Sequence, residues 1–118
     1  MPKIKVPEEI IKITKEAIDQ NLALPISRRA AYKDDGDKRV PGTGMVTARR
    51  LVSGAVDRAQ LELMRAWFAR HKESPGEKEA RQDKTSKASL AWRLWGGSAA
   101  MRWVRAVLQE LEAQEKKK

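Results

Sequence analysis

Any chemistry in this chain has to come mainly from lysine and arginine. Lys38, Arg39, Arg49 and Arg50 fall in a stretch, 38–56, that contains no carboxylate, and Lys84, Lys87, Arg93, Arg102 and Arg105 fall in a second, 84–109. Together these cations account for the whole formal net charge of +9, because the rest of the 118 residues sums to zero. Unopposed Lys and Arg neutralise phosphates and release the counterions condensed around a nucleic acid, so the chemistry this pattern serves is the binding of a polyanion. Trp92, Trp95 and Trp103 share the second stretch. They can be stacking platforms for unpaired bases or large plugs where helices cross. Trp92 and Trp95 are three residues apart on one helix face, and four exposed Trp would present too much apolar area on so small a protein, which favours the plugs.

Little else converges. His71 is the one imidazole and there is no Cys, so a transition-metal site or a His-based nucleophile has little material. His71 reads as a structural or surface residue near the end of its helix. The carboxylates alternate with Lys and Arg, as Glu77, Glu79 and Asp83 do among Lys78, Arg81 and Lys84, and a solvated surface accounts for them. No enzyme, no metal and no cofactor is expected. The string Pro41-Gly42-Thr43-Gly44 ahead of a helix can offer backbone N–H groups to a phosphate, with Lys38 and Arg39 nearby, or serve as a plain turn. It lacks the glycine spacing and the Lys-Ser/Thr pair of a Walker A loop.

The elements that must position these residues read as helices. Charged residues make up 35% of the chain and aromatics 5%, with 41% hydrophobic, a balance suited to amphipathic helices. Glu8 and Glu9 open a first helix over 8–23, with Ile10, Thr14, Ile18 and Leu22 on one side. Ser27 can cap a short second helix through Tyr32, which meets the breaker string Asp34-Asp35-Gly36-Asp37 and an extended loop to Gly44. A third helix runs from about Gly44 to Ser53 with Arg49 and Arg50 pointing outward. A fourth opens with Asp57 and Gln60 as a capping box, and its stripe is Leu61, Met64 and Phe68. Residues 73–85 read as a charged connector. Ser86 or Thr85 caps a fifth helix that Gly96-Gly97 ends, and Ser98 caps a sixth that frays into Lys116-Lys117-Lys118. The third and fourth helices invite comparison with a helix-turn-helix, but Arg49 and Arg50 stand where a small buried residue belongs, so a helical hairpin is the default.

The expected fold is therefore all-α, a single compact domain of about five to six short helices with no sheet. It divides into 1–37, an N-terminal helix and connector packing on the rest or on a partner, a helical core module over 38–113, and a basic tail over 114–118. The N-terminus lacks the apolar stretch of a signal peptide and no apolar run is long enough to span a bilayer, so a soluble intracellular protein without membrane contact is expected.

Two strings carry a family resemblance: Ala48-Arg49-Arg50-Leu51 through Trp67-Phe68-Ala69-Arg70-His71, and Ala91-Trp92-Arg93-Leu94-Trp95-Gly96-Gly97 with Trp103 following. Over residues 42–108 the chain resembles a small helical module of tailed-phage proteins, including those of cyanophages, found alone and attached to head-morphogenesis polypeptides. The resemblance implies a phage setting, in the host cytoplasm beside the nucleoid or in the virion, and brings no binding residues with it. The resulting expectation is a small basic protein that binds nucleic acid, DNA before RNA, through the phosphate backbone with low sequence specificity. Lys38, Arg39, Arg49, Arg50, Lys87, Arg93, Arg102 and Arg105 are the contact residues. The alternative is a protein–protein module for an acidic host or virion protein, and either form can be a homo-oligomer.

Overall fold

Glu8 and Glu9 place negative charge at the positive end of α1 (Glu8–Leu22), in a computed structural model that describes residues 3–117. Met1 and Pro2 of the N-terminal segment and Lys118 of the basic tail lie outside the described residues. The buried stripe of α1 is Ile10, Thr14, Ala17 and Asn21, while Leu22 is 42% exposed. Asn21 turns inward because its amide grips both backbone groups of Ala30. Nδ2 donates to Ala30 O at 3.0 Å, and Ala30 N donates to Oδ1 at 2.9 Å. Arg29 closes the same corner by donating from Nε to Leu24 O and from Nη2 to Leu22 O, both at 3.1 Å, which satisfies carbonyls left open at the helix end.

That lock corrects the expected second helix. With both polar backbone groups of Ala30 committed to Asn21, helical bonds cannot propagate through it, and only a 3₁₀ turn forms at Ile26–Arg28. Ala31 then takes a left-handed φ of 57°, and Tyr32 starts a strand.

The chain is mostly helical but not all-α, because it contains two two-stranded antiparallel sheets. In the first, β1 (Ile4–Lys5) pairs with β4 (Ala55–Val56), Ile4 opposite Val56, and Val6 N–H extends the ladder to Gly54 O at 2.9 Å. In the second, β2 (Tyr32–Asp35) pairs with β3 (Lys38–Pro41) from Tyr32 opposite Pro41 to Asp35 opposite Lys38. Gly36 and Asp37 form its two-residue loop. Gly36, at φ +68°, supplies the positive dihedral that a tight hairpin turn needs at its first central position. The string read as a helix breaker and loop is thus a hairpin.

Beyond the hairpin come α2 (Thr43–Val52) and α3 (Arg58–His71). Asp57 caps α3, its side chain accepting from Gln60 N at 2.8 Å. The reciprocal half of a capping box is not made, since the Gln60 side chain donates to Thr47 Oγ1 and accepts from Arg50 Nη1. β4 occupies the α2–α3 connection, so the pair is not a helix-turn-helix. Within the charged connector lies a short α4 (Glu77–Ala80). Ser86 caps α5 (Lys87–Leu94), Gly96 and Gly97 turn the corner with φ of 98° and 72°, and α6 (Gly97–Lys116) follows. Ser98 does not cap α6; its hydroxyl accepts from Trp92 Nε1 at 3.1 Å.

Two apolar clusters hold these elements. In the larger, Leu61, Met64 and Phe68 of α3 meet Ala100, Val104 and Leu108 of α6, with Val6, Ile10, Trp92 and Trp95. The smaller joins Ala17 of α1, Met45 and Ala48 of α2, and Leu90 and Leu94 of α5. The first helix therefore packs on α2, α5 and α6. α3 and α6 run antiparallel, flanked by ion pairs of Arg58 with Glu115 and Arg65 with Glu112. No helix among the described residues is long and apolar enough to cross a membrane.

Candidate nucleic-acid interface

The basic residues singled out by sequence divide into those that solvent keeps and those the fold uses. On α6 the inward positions are Ala100, Met101, Val104 and Leu108, so the helical period turns Arg102 and Arg105 outward. Both are exposed, neither has a carboxylate within 4.0 Å among the described residues, and the first acid along α6 is Glu110. Arg49 on α2, Lys38 at the hairpin turn and Lys87 at the start of α5 are likewise exposed and unpaired among the described residues.

The other three are engaged by the fold, Arg39 and Arg93 half-buried and Arg50 while still exposed. Arg39 pairs with Asp34 at 3.2 Å and donates to the carbonyls of Ile26 and Arg29, holding the 3₁₀ turn against the hairpin. Arg50 donates to Gln60 Oε1 at 2.6 Å. Arg93 donates to Gln20 Oε1 at 2.7 Å, to Lys84 O at 2.9 Å and to Ser89 Oγ, bridging α1 to the turn before α5. Burial pulls its guanidinium below the usual arginine range, and the charge of Glu16 works the other way.

The two acid-free stretches meet where α2 packs on α5, and their exposed cations are spread over the hairpin, α2, α5 and α6. α2 packs on α1, α5 and the strands, whereas α6 packs on α1, α3 and α5. α1 lies against both, and its exposed side carries Glu8, Glu9, Glu16 and Asp19 as well as Lys12 and Lys15.

What the fold does bring together is a groove of about 650 Å³ between α3, α5 and the start of α2. Its aromatic wall is Trp67, which stacks on Trp95 with centroids 4.5 Å apart and planes 10° apart, and on His71 at 4.4 Å. Trp92 is 7% and Trp95 3% exposed, so both are core plugs with one edge reaching the groove. Arg81 lies 4.1 Å over the Trp92 ring and donates to the carbonyls of His71 and Lys72. His71 Nδ1 stands 2.8 Å from Glu77 Oε2, which gives the lone imidazole a structural partner. Lys87 comes from the acid-free stretch 84–109, but Arg70 does not: neighbouring acids in sequence masked it. The groove's cations are these and Arg81, rather than Lys38 and Arg39. Among the described residues no group of three or more His, Cys, Asp or Glu side chains is placed to hold a metal ion.

The chain matches no protein-family model, no curated protein sequence and no solved structure.

Proposed function

We propose that this protein binds nucleic acid, DNA before RNA, through the phosphate backbone and with little sequence preference. The observation that carries the reading is the outer face of α6, where Arg102 and Arg105 stand one turn apart, exposed and without a carboxylate partner among the described residues. Two guanidinium groups on one helix face make phosphate contacts and carry no sequence information by themselves. Arg49, Lys38 and Lys87 add contacts on the α2 side, while Arg39, Arg50 and Arg93 serve the fold first. The likeness to a tailed-phage module adds a setting, the host cytoplasm or the virion.

A second reading, a module for an acidic protein partner, is favoured by apolar side chains left in solvent. Leu22 is 42% and Ile26 48% exposed, close together at the end of α1. The two readings part in a binding experiment. Labelled duplex DNA, single-stranded DNA and RNA are titrated by fluorescence anisotropy with the native chain and with R102E/R105E. The nucleic-acid reading expects a loss of at least about eight-fold per removed contact at 0.1 M salt, from a slope of 0.9 per phosphate. Unchanged affinity in the folded double variant removes it, and a lysate partner that survives nuclease and contacts Leu22 and Ile26 supports the second.

A further inference from the structure

We infer that the groove between α3, α5 and the start of α2 is a seat for the phosphate group of a nucleotide. The N-terminal end of α2 is bare. Its N-cap is Gly42, with no side-chain cap, and the helix opens Thr43-Gly44, whose N–H groups have no acceptor among the described residues. Gly42 N–H donates to Ala31 O, and the N–H groups of Met45 and Val46 to Gly42 O, so the two open donors at this helix start are Thr43 and Gly44, which together with the dipole favour an anion.

A second donor points to the same place. Trp95 is 3% exposed, yet its indole N–H has no acceptor among the described residues. No fully enclosed side-chain nitrogen or oxygen lacks a partner, so Trp95 Nε1 must touch open space, and the space that Trp95 lines is this groove. Nε1 lies 3.1 Å from where a β-carbon on Gly44 would stand, which sets the indole donor beside the bare helix end. A donor that reaches the groove is free to donate to a ligand oxygen in place of water. Lys87 and Arg70 line the same groove without carboxylate partners, and Arg81 is already committed to two carbonyls and the Trp92 face. The acid that lines it, Glu77, is held against His71.

The size of the groove selects the body that carries the phosphate. At about 650 Å³ it is far larger than one anion needs, and its remaining lining is Ala30, Ala31, Ala88, Ala91 and Leu63 beside Trp67. Small apolar side chains and the edge of Trp67, whose faces are taken by Trp95 and His71, accept a flat, weakly polar ring by apolar contact, so the phosphate of a nucleotide fits where a bare anion leaves most of the surface uncovered. The source is either a free mononucleotide or the phosphorylated end of a strand. This seat is distinct from the α6 face and stands without it.

The test is a ¹⁵N-detected titration of the full chain with inorganic phosphate, adenosine monophosphate, and a short single strand bearing either a 5′-phosphate or a 5′-hydroxyl. Expected are shifts of the Thr43 and Gly44 amides and of the indole N–H that is missing from the W95F spectrum. Adenosine monophosphate should bind more tightly than phosphate. A strand preferred only when phosphorylated identifies an end-binding seat; equal or weaker strand binding identifies a free nucleotide. W95F removes the indole donor. T43P removes one backbone donor at a helix position that tolerates proline, after a Gly42 whose extended backbone suits the residue before proline. Each should weaken nucleotide binding about ten-fold, the effect of losing one hydrogen bond to a charged group. No shift of the three resonances, or unchanged affinity in either folded variant, overturns the inference. R102E/R105E should leave these shifts intact, so failure of the α6 reading and failure of the seat are separable.

Discussion

The indole nitrogen of Trp95 lies 3.1 Å from the position a β-carbon on Gly44 would occupy, and the Ala31 β-carbon lies 2.6 Å from that same position. The start of α2 can therefore approach α5 and Ala31 only because residue 44 has no side chain. Gly44→Ala should destabilise the fold although alanine is the better helix former. Propensity favours Ala by about 1 kcal/mol, while overpacking against a β-carbon and a buried ring costs about 1–3 kcal/mol. Chemical denaturation of the two proteins measures the net sign; a more stable variant would show that this contact relaxes at no cost.

Asn21 and Thr14 are the polar residues on the buried stripe of α1; Thr14 bonds back to Ile10 O, and the role of Asn21 is to hold Ala30. Asn21→Leu fills similar volume but leaves the Ala30 N–H and C=O without partners. The expected loss is about 2–4 kcal/mol, with exchange of the Ala30 amide accelerated well beyond that of α3. A loss below 0.5 kcal/mol, within the range of about ±0.5 for ordinary surface changes, would mean that water replaces the side chain there.

The five longer helices, α1, α2, α3, α5 and α6, were legible because their signals are local, whereas the short second helix expected at Ser27 and the one-turn α4 were not. Glu8-Glu9, Asp57 with Gln60, Ser86 and the Gly96-Gly97 pair mark ends that need no distant partner. The strands were not. Tyr32–Asp35 and Lys38–Pro41 are mostly exposed on both faces, so no hydrophobic alternation marks them, and only Gly36-Asp37 carries the hairpin signal. β1 and β4 have two residues each and exist because the chain ends of α1 and α2 meet. The basic character of the candidate site could be read from residue types, but not that Arg39 and Arg93 turn to nearby carbonyls. Nor can spacing show that Arg70 and the Trp95 indole face one groove.

Asp57→Ala should cost about 1 kcal/mol, because the Gln60 N–H loses its acceptor at the start of α3. Gln60 itself serves a different purpose, bridging Thr47 and Arg50, so Gln60→Glu should not behave as an improved capping box. A double-mutant cycle between Asp57 and Gln60 checks this. Coupling confined to the backbone contact is expected, and a gain from Gln60→Glu that vanishes without Asp57 would contradict it.

Stability should fall in acid. The Arg65 guanidinium, bonded through both nitrogens at 3.1 and 3.2 Å, holds the Glu112 carboxyl below the usual carboxylate range, and the Thr85 hydroxyl and N–H do the same for Asp83. A carboxyl with a lowered folded pKa stabilises the fold above its ordinary pKa, and that contribution is lost as pH drops through the folded value. Tm should be flat from pH 7 to about pH 5 and decline below about pH 4. Glu112→Gln should make that decline slightly shallower, since the pair is exposed to solvent. A decline that begins well above pH 5 would contradict the assignment to these carboxylates.

Nucleic-acid binding by the unpaired cations is tested most directly by the salt dependence of the affinity. Five exposed side chains, Lys38, Arg49, Lys87, Arg102 and Arg105, together contribute up to about −4.5 to the slope of log affinity against log salt on duplex DNA, at about −0.9 per phosphate. The native chain should show a slope of at least about −2, and R102A/R105A should reduce its magnitude by about 1.8. A flat response, or a slope that the double variant leaves unchanged, would contradict the account.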